Sequence, residues 1–142
     1  MKAVKVFIGI FISIGVFLPL AHAQAPTGSY THPTSVLTTA VDIDAYVRQE
    51  ALKSGLYGLY ETLRYESAGW QNIQSFVKDP TGPNGREDSW GICQLHLPSN
   101  PTITKEQALD VRFCVQYTIS EFDAGRASRW TGYRLFKRGI IQ

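Results

Sequence analysis

The chain has 142 residues, 44% of them apolar and 18% charged, an ordinary balance that leaves room for one domain with a packed core. Its formal charge of +2 rests on Lys2 and Lys5: without them 12 Lys and Arg (14 less two) face 12 Asp and Glu, so overall charge makes no case for a nucleic-acid partner. Two cysteines and three scattered histidines, of which His96 stands alone, form no zinc pattern, and no metal or cofactor follows from them.

Lys2 and Lys5 open a positive start, an apolar run from Val6 to Leu18 follows, and Ala21-His22-Ala23 supplies a small-x-small site. Together these describe a secretory signal peptide over residues 1–23. A membrane anchor is the competing reading, but the run is short for a span, and none is expected after cleavage. Residues 24–41, rich in Thr, Ser, Pro and Gly, read as a flexible leader. From Asp42 the pattern turns helical, with Asp42 or Asp44 as cap and Gly55 as stop. Leu56, Leu59, Tyr60 and Leu63 then recur in steps of three and four, which predicts a second helix to Ser67. Residues 69–77 read as a short helical or irregular piece, and 78–89, dense in turn formers, as a long surface loop or poor hairpin.

Trp90 to Leu97 is apolar, stopped by Pro98 and Pro101. Thr104 with Gln107 fits a capping box, and Asp110 can cap a helix running to about Asp123 along Val111, Cys114, Val115 and Ile119. Trp130 to Phe136 predicts a last short helix, and 137–142 a basic tail. The expectation is a mainly α single domain over 42–136 with a long loop or small hairpin. Beyond Asp123 stand only Arg126, Arg129, Arg134, Lys137 and Arg138 as charged residues; this end either meets an anionic polymer or membrane surface, or is a solvated tail. Cys93 and Cys114 both fall on predicted helices. Export permits a disulfide between them, worth about 3 kcal/mol in the loop-entropy account.

Glu66 poses the chemical question, because it continues the apolar stripe of Leu56, Leu59 and Leu63. A carboxylate there loses hydration, and at a helix C-terminus the macrodipole opposes its charge further. Both favour a protonated acid, which glycosidic cleavage needs to protonate its leaving oxygen. The competing reading is a helix-end Glu that swings into solvent. A carboxylate partner would come from Asp79, Glu87 or Asp88, Asp88 first because it adjoins the apolar segment; Asp79 in "KDPTG" reads as a turn former. Trp70, Trp90 and Trp130 are core fillers or sugar platforms, with Trp130 the best cleft candidate.

Taken in order, "YES" at 65–67, "GICQLHLP" at 91–98, "ITKEQALDVRFCVQYTISEF" at 103–122 and the Trp130/Tyr133 pair resemble the transglycosylase SLT family of the lysozyme-like superfamily over residues 42–133. The resemblance implies a lysozyme-like fold and a peptidoglycan lytic transglycosylase. Glu66 would be general acid and then base on the β-1,4 bond between N-acetylmuramic acid and N-acetylglucosamine. The substrate's 2-acetamido group would assist, its 6-hydroxyl would attack, and a 1,6-anhydro product would leave. It implies substrate roles for Ser67 (hydrogen bonding to the acetamido group), Gly91 (close backbone approach to the sugar) and Gln94 (an amide lining the cleft). The Ala-Tyr-Asn motif of many members is missing; Tyr117 and Tyr133 are the substitutes, Tyr133 preferred for its place after Trp130. The implied partner is the glycan strand of peptidoglycan, outside the cell or in the periplasm, with no cofactor. A goose-type-like hydrolase and an inactive module holding glycan within a secretion or envelope complex are the alternatives.

Overall fold

The computed structural model describes residues 37–142, so the signal segment expected over 1–23 and most of the leader expected over 24–41 lie outside the described residues. The fold is mainly α with one small antiparallel hairpin. Helix α1 spans Ala40–Ser54, α2 Leu59–Glu66, α3 Lys105–Leu109, α4 Val111–Asp123 and α5 Thr131–Lys137; β1 (Ser89–Trp90) pairs with β2 (Leu95–His96). Among the described residues no helix is long and apolar enough to cross a membrane.

The helix boundaries follow local chemistry. Thr39, rather than Asp42 or Asp44, caps α1: its hydroxyl accepts the Asp42 N–H at 3.1 Å, and its own O–H donates to the Asp42 carboxylate at 2.6 Å. The helix therefore begins two residues inside the expected leader. Gly55, with φ 66°, ends α1 as anticipated. A turn then delays α2 to Leu59. Gly58 precedes it at φ 87°, and a β-carbon there would overlap the Phe136 ring. The Thr104–Gln107 capping box forms reciprocally, and Asp110 accepts both the Arg112 and Phe113 N–H groups to start α4. At the other end, the Gly139 and Ile140 N–H groups close α5 on Phe136 and Leu135 carbonyls, so Lys137 belongs to the helix and the basic tail is tied to it.

α2 is short but enclosed. Leu59, Tyr60, Thr62 and Leu63 are all buried, packed between α1 and α5. With Val47, Ile92, Cys93, Cys114 and Val115 they form the centre of the core. Each large apolar side chain buried this way contributes about 1.5–3 kcal/mol. Cys93 departs from expectation. It lies in the turn between β1 and β2, not on a helix, and bridges to Cys114 of α4 with Cα atoms 5.9 Å apart. The loop at 78–89 is a loosely paired hairpin, bridged at Lys78–Arg86 with a 3-10 turn at Pro83–Gly85; Gln74–Trp90 adds a second bridge.

Candidate active site

Glu66 is the last residue of α2, and the chain reverses immediately after it. Ser67 N–H donates to Leu63 O at 3.0 Å, and Ala68, Gly69 and Trp70 then take left-handed backbone at φ 48°, 83° and 75°. For Trp70 this is strained. The strain is held by its N–H donating to Ser67 Oγ at 2.8 Å, its indole N–H donating to Asp44 at 3.0 Å, and its ring packing 5.4 Å from Tyr60. Trp70 is thus a core residue that secures the turn.

The α5 helix comes close enough to α2 to touch the acid. Gly132 N–H donates to Glu66 Oε1 at 2.7 Å, and this approach needs glycine, since a β-carbon would lie 2.8 Å from Thr62 O. Burial pushes the Glu66 carboxyl above its ordinary range. The Gly132 and Thr131 amides and the Arg134 charge pull it down without prevailing, and Glu87 adds slightly to the rise. Desolvation is therefore the main cause. The helix terminus that touches the carboxyl, that of α5, works in the opposite direction to the α2 dipole invoked from sequence.

Glu66 opens on a cleft of about 780 Å³. One wall carries Tyr65, Ser67 and Ala68 from the end of α2, another Ile73, Ser75, Phe76, Val77 and Glu87 from the loop hairpin. Gln94, Leu95 and His96, then Asn100 and Tyr117, and finally Arg129, Trp130 and Thr131 complete it. Phe76 and Val77 are exposed, giving the rim apolar surface. Such surface suits the C–H faces of a pyranose ring.

The structure brings Glu66, Ser67, Gln94 and Trp130 together on this cleft. Their environments refine the expected roles. The Ser67 hydroxyl is buried, donates to Arg64 O at 3.3 Å and accepts Trp70 N–H, so it holds the turn behind Glu66. Gln94 sits at φ 47°, and its Nε2 donates to Gly91 O at 2.8 Å and Ile73 O at 3.3 Å, which fixes the amide against the hairpin. Trp130 donates its indole N–H to Cys93 O at 2.9 Å and rests on Phe122, so one edge packs while another lines the cleft.

Two expected substrate residues lie elsewhere. Gly91 turns toward α3, where a β-carbon would collide with Ala108 O, so its backbone approaches a helix rather than a sugar. Tyr133 packs edge-on against Phe122 at 5.1 Å, off the cleft lining. Tyr117 lines the cleft instead, its hydroxyl donating to Asn100 Oδ1 at 2.7 Å.

Among the loop acids, Glu87 reaches the cleft and Asp88 does not. Asp88 accepts the Trp90 indole N–H at 2.6 Å. Glu87 accepts the Ser75 hydroxyl at 3.2 Å, on backbone set by its own N–H to Val77 O and by Ser75 N–H to Ser89 O, both 2.8 Å. Gln74 stiffens the loop from inside, donating to Pro83 O at 2.7 Å and accepting from Asn84 at 3.1 Å. Asp79 binds its own turn through Thr81, as its sequence context predicted. Among the described residues no group of three or more His, Cys, Asp or Glu is placed to hold a metal ion. Compared with known proteins, the chain matches no family model, no curated protein and no solved structure.

Proposed function

We propose that this protein cleaves the glycan strand of peptidoglycan as a lytic transglycosylase, outside the cell or in the periplasm. The observation that carries the reading is Glu66 itself: a carboxyl held above its ordinary pKa by burial, fixed by Gly132 N–H, opening on a cleft of about 780 Å³ with apolar and hydrogen-bonding walls. An acid whose protonated form is favoured by burial is what a glycosidic oxygen requires to leave. The ordered sequence resemblance supplies the substrate. The Cys93–Cys114 bridge agrees with an exported chain.

In this reading Glu66 gives its proton to the oxygen leaving C1 of N-acetylmuramic acid while the 2-acetamido oxygen closes on C1. The Glu66 carboxylate then takes the proton of the 6-hydroxyl, whose oxygen attacks C1, releases the acetamido group and forms the 1,6-anhydro ring. No water is consumed, and the acid is regenerated. Substrate assistance makes a second carboxylate unnecessary, as in other exceptions to the paired-acid scheme.

Glu87 favours one second reading. A second carboxylate lining the same cleft can act as base toward water, which would make the protein a hydrolase related in mechanism to goose-type lysozyme. Digestion of purified peptidoglycan followed by mass analysis of the muropeptides separates the cases. The transglycosylase reading expects anhydro ends; reducing ends replace it with hydrolysis, and intact strands with bound protein replace it with a glycan-holding module.

A further inference from the structure

The far end of the cleft is built around an imbalance of charge. Glu121, buried on α4, presents one carboxylate to two arginines. Arg126 occupies both of its oxygens, at 2.7 Å and 2.5 Å, and Arg129 Nη1 adds a third bond at 2.7 Å. One anion is thus shared by two cations, and Arg126 alone already neutralises it in a bidentate pair. Arg134 adds a third guanidinium. It donates to Ser128 O at 2.7 Å, Arg129 O at 3.2 Å and Thr131 Oγ1 at 2.8 Å, and forms no ion pair among the described residues. Two fixed guanidinium groups therefore share the single Glu121 carboxylate, while Arg134 holds the Arg129 carbonyl and lends its charge to the Glu66 side of the cleft. The chain has no acid beyond Asp123 to balance them.

Arg129 is also the cation that lines the cleft, next to Trp130 and Thr131 and facing Tyr117, and its side chain is 56% exposed. Neither cleft carboxylate offsets it: Glu66 takes the Gly132 amide, Glu87 takes the Ser75 hydroxyl, and neither forms an ion pair with Arg129. An arginine that shares its carboxylate partner with Arg126 and meets the Tyr117 hydroxyl, yet stays more than half exposed on the cleft, is suited to a carboxylate ligand.

Resting on the glycan reading above, we infer that Arg129, supported by Arg134, binds a carboxylate carried by the substrate strand. A glycan of N-acetylmuramic acid offers such groups on its stem peptides or, where these are removed, on the lactyl substituent; chitin-like strands offer none. The site therefore selects the acid-bearing sugar and sets the direction in which a strand lies past Glu66.

The test is strand binding by the full-length mature protein carrying Glu66→Gln, which holds strands without cutting them. Three probes are compared: peptidoglycan strands with intact stem peptides, the same strands stripped of peptide, and strands with every carboxylate converted to amide. A charge-assisted pair lost from a partly exposed site weakens binding about tenfold. The inference expects the amidated strands to bind about tenfold more weakly than one or both acid-bearing strands, and whichever loses least identifies the carboxylate source. Adding Arg129→Gln should erase this preference, Arg129→Lys should restore part of it, and Arg134→Gln, whose charge otherwise acts on the Glu66 carboxyl already replaced in this background, should reduce it with the fold intact by melting curve. Equal binding of intact and amidated strands, or a preference that survives Arg129→Gln, overturns the inference and leaves the glycan reading standing. Binding to none of the three overturns both.

Discussion

A β-carbon on Gly132 would lie 2.8 Å from Thr62 O and 3.0 Å from Thr62 Cα, so alanine there must push α5 off α2. The same peptide carries the N–H that clamps Glu66. Gly132→Ala should therefore cost about 1–3 kcal/mol through overpacking. Losing an amide that lowers the Glu66 pKa should also move the basic limb of the pH–rate profile upward. A melting curve and a pH profile check both; an unchanged profile would show that the clamp has no part in tuning the acid. Glu66 was legible in the sequence because Leu59 and Leu63 fix the buried face of α2 and the carboxyl falls at the end of that stripe. Its neighbours were less so. Glu87 and Asp88 are adjacent, and which one enters the cleft depends on the register of a short, weakly paired hairpin set by Ser75 and Gln74. Tyr117 and Tyr133 both had plausible spacing; only the packing of Phe122 against Tyr133 decides between them.

At the scale of elements, α4 is fixed at both ends by its own sequence. Asp110 caps its first turn through two N–H groups, and Asp110→Ala should cost about 1 kcal/mol, readable as a lower denaturation midpoint with an unchanged slope. Farther along, Glu121 lies buried among guanidiniums, and hydrogen bonding to Arg126, first of all, holds its carboxyl below the usual range. Glu121→Gln leaves Arg126 and Arg129 without an ionic partner and should destabilise by about 2–4 kcal/mol, the range for breaking a buried pair, discounted for their exposure. Reduction of Cys93–Cys114 should cost about 3 kcal/mol, because the bridge closes a loop with a sequence separation of 21. Capping signals at Thr104 and Asp110 could be read directly because they are local. The segment around Cys93 could not. An apolar run of its length fits helix or strand equally, and the Trp130 bond to Cys93 O and the contact of Gly91 with Ala108 are tertiary choices.

For the whole molecule, the raised Glu66 pKa links stability to pH. The native state holds the proton more tightly than the unfolded chain, so this stabilisation is complete below the unfolded carboxyl pKa and is lost as pH rises through the native one. The Glu121 pKa is lowered instead; its stabilisation is present above the unfolded value and lost as pH falls through the native one. The two dependences oppose each other across the carboxyl range, and Glu66→Gln should remove only the loss on the neutral side. The variant should then melt at or above wild type at pH 7, with the difference shrinking toward pH 4; a variant that melts lower at pH 7 would argue against a desolvated acid.

The same variant tests the catalytic claim. Glu66→Gln keeps the size of the side chain and an oxygen to accept Gly132 N–H, but it has no proton to give. With wild type and variant folded and at equal concentration on purified peptidoglycan, release of muropeptides with anhydro ends should fall by about 10²- to 10⁴-fold in the variant. Wild-type-like release by Glu66→Gln would contradict the account and shift attention to Glu87 in the same cleft.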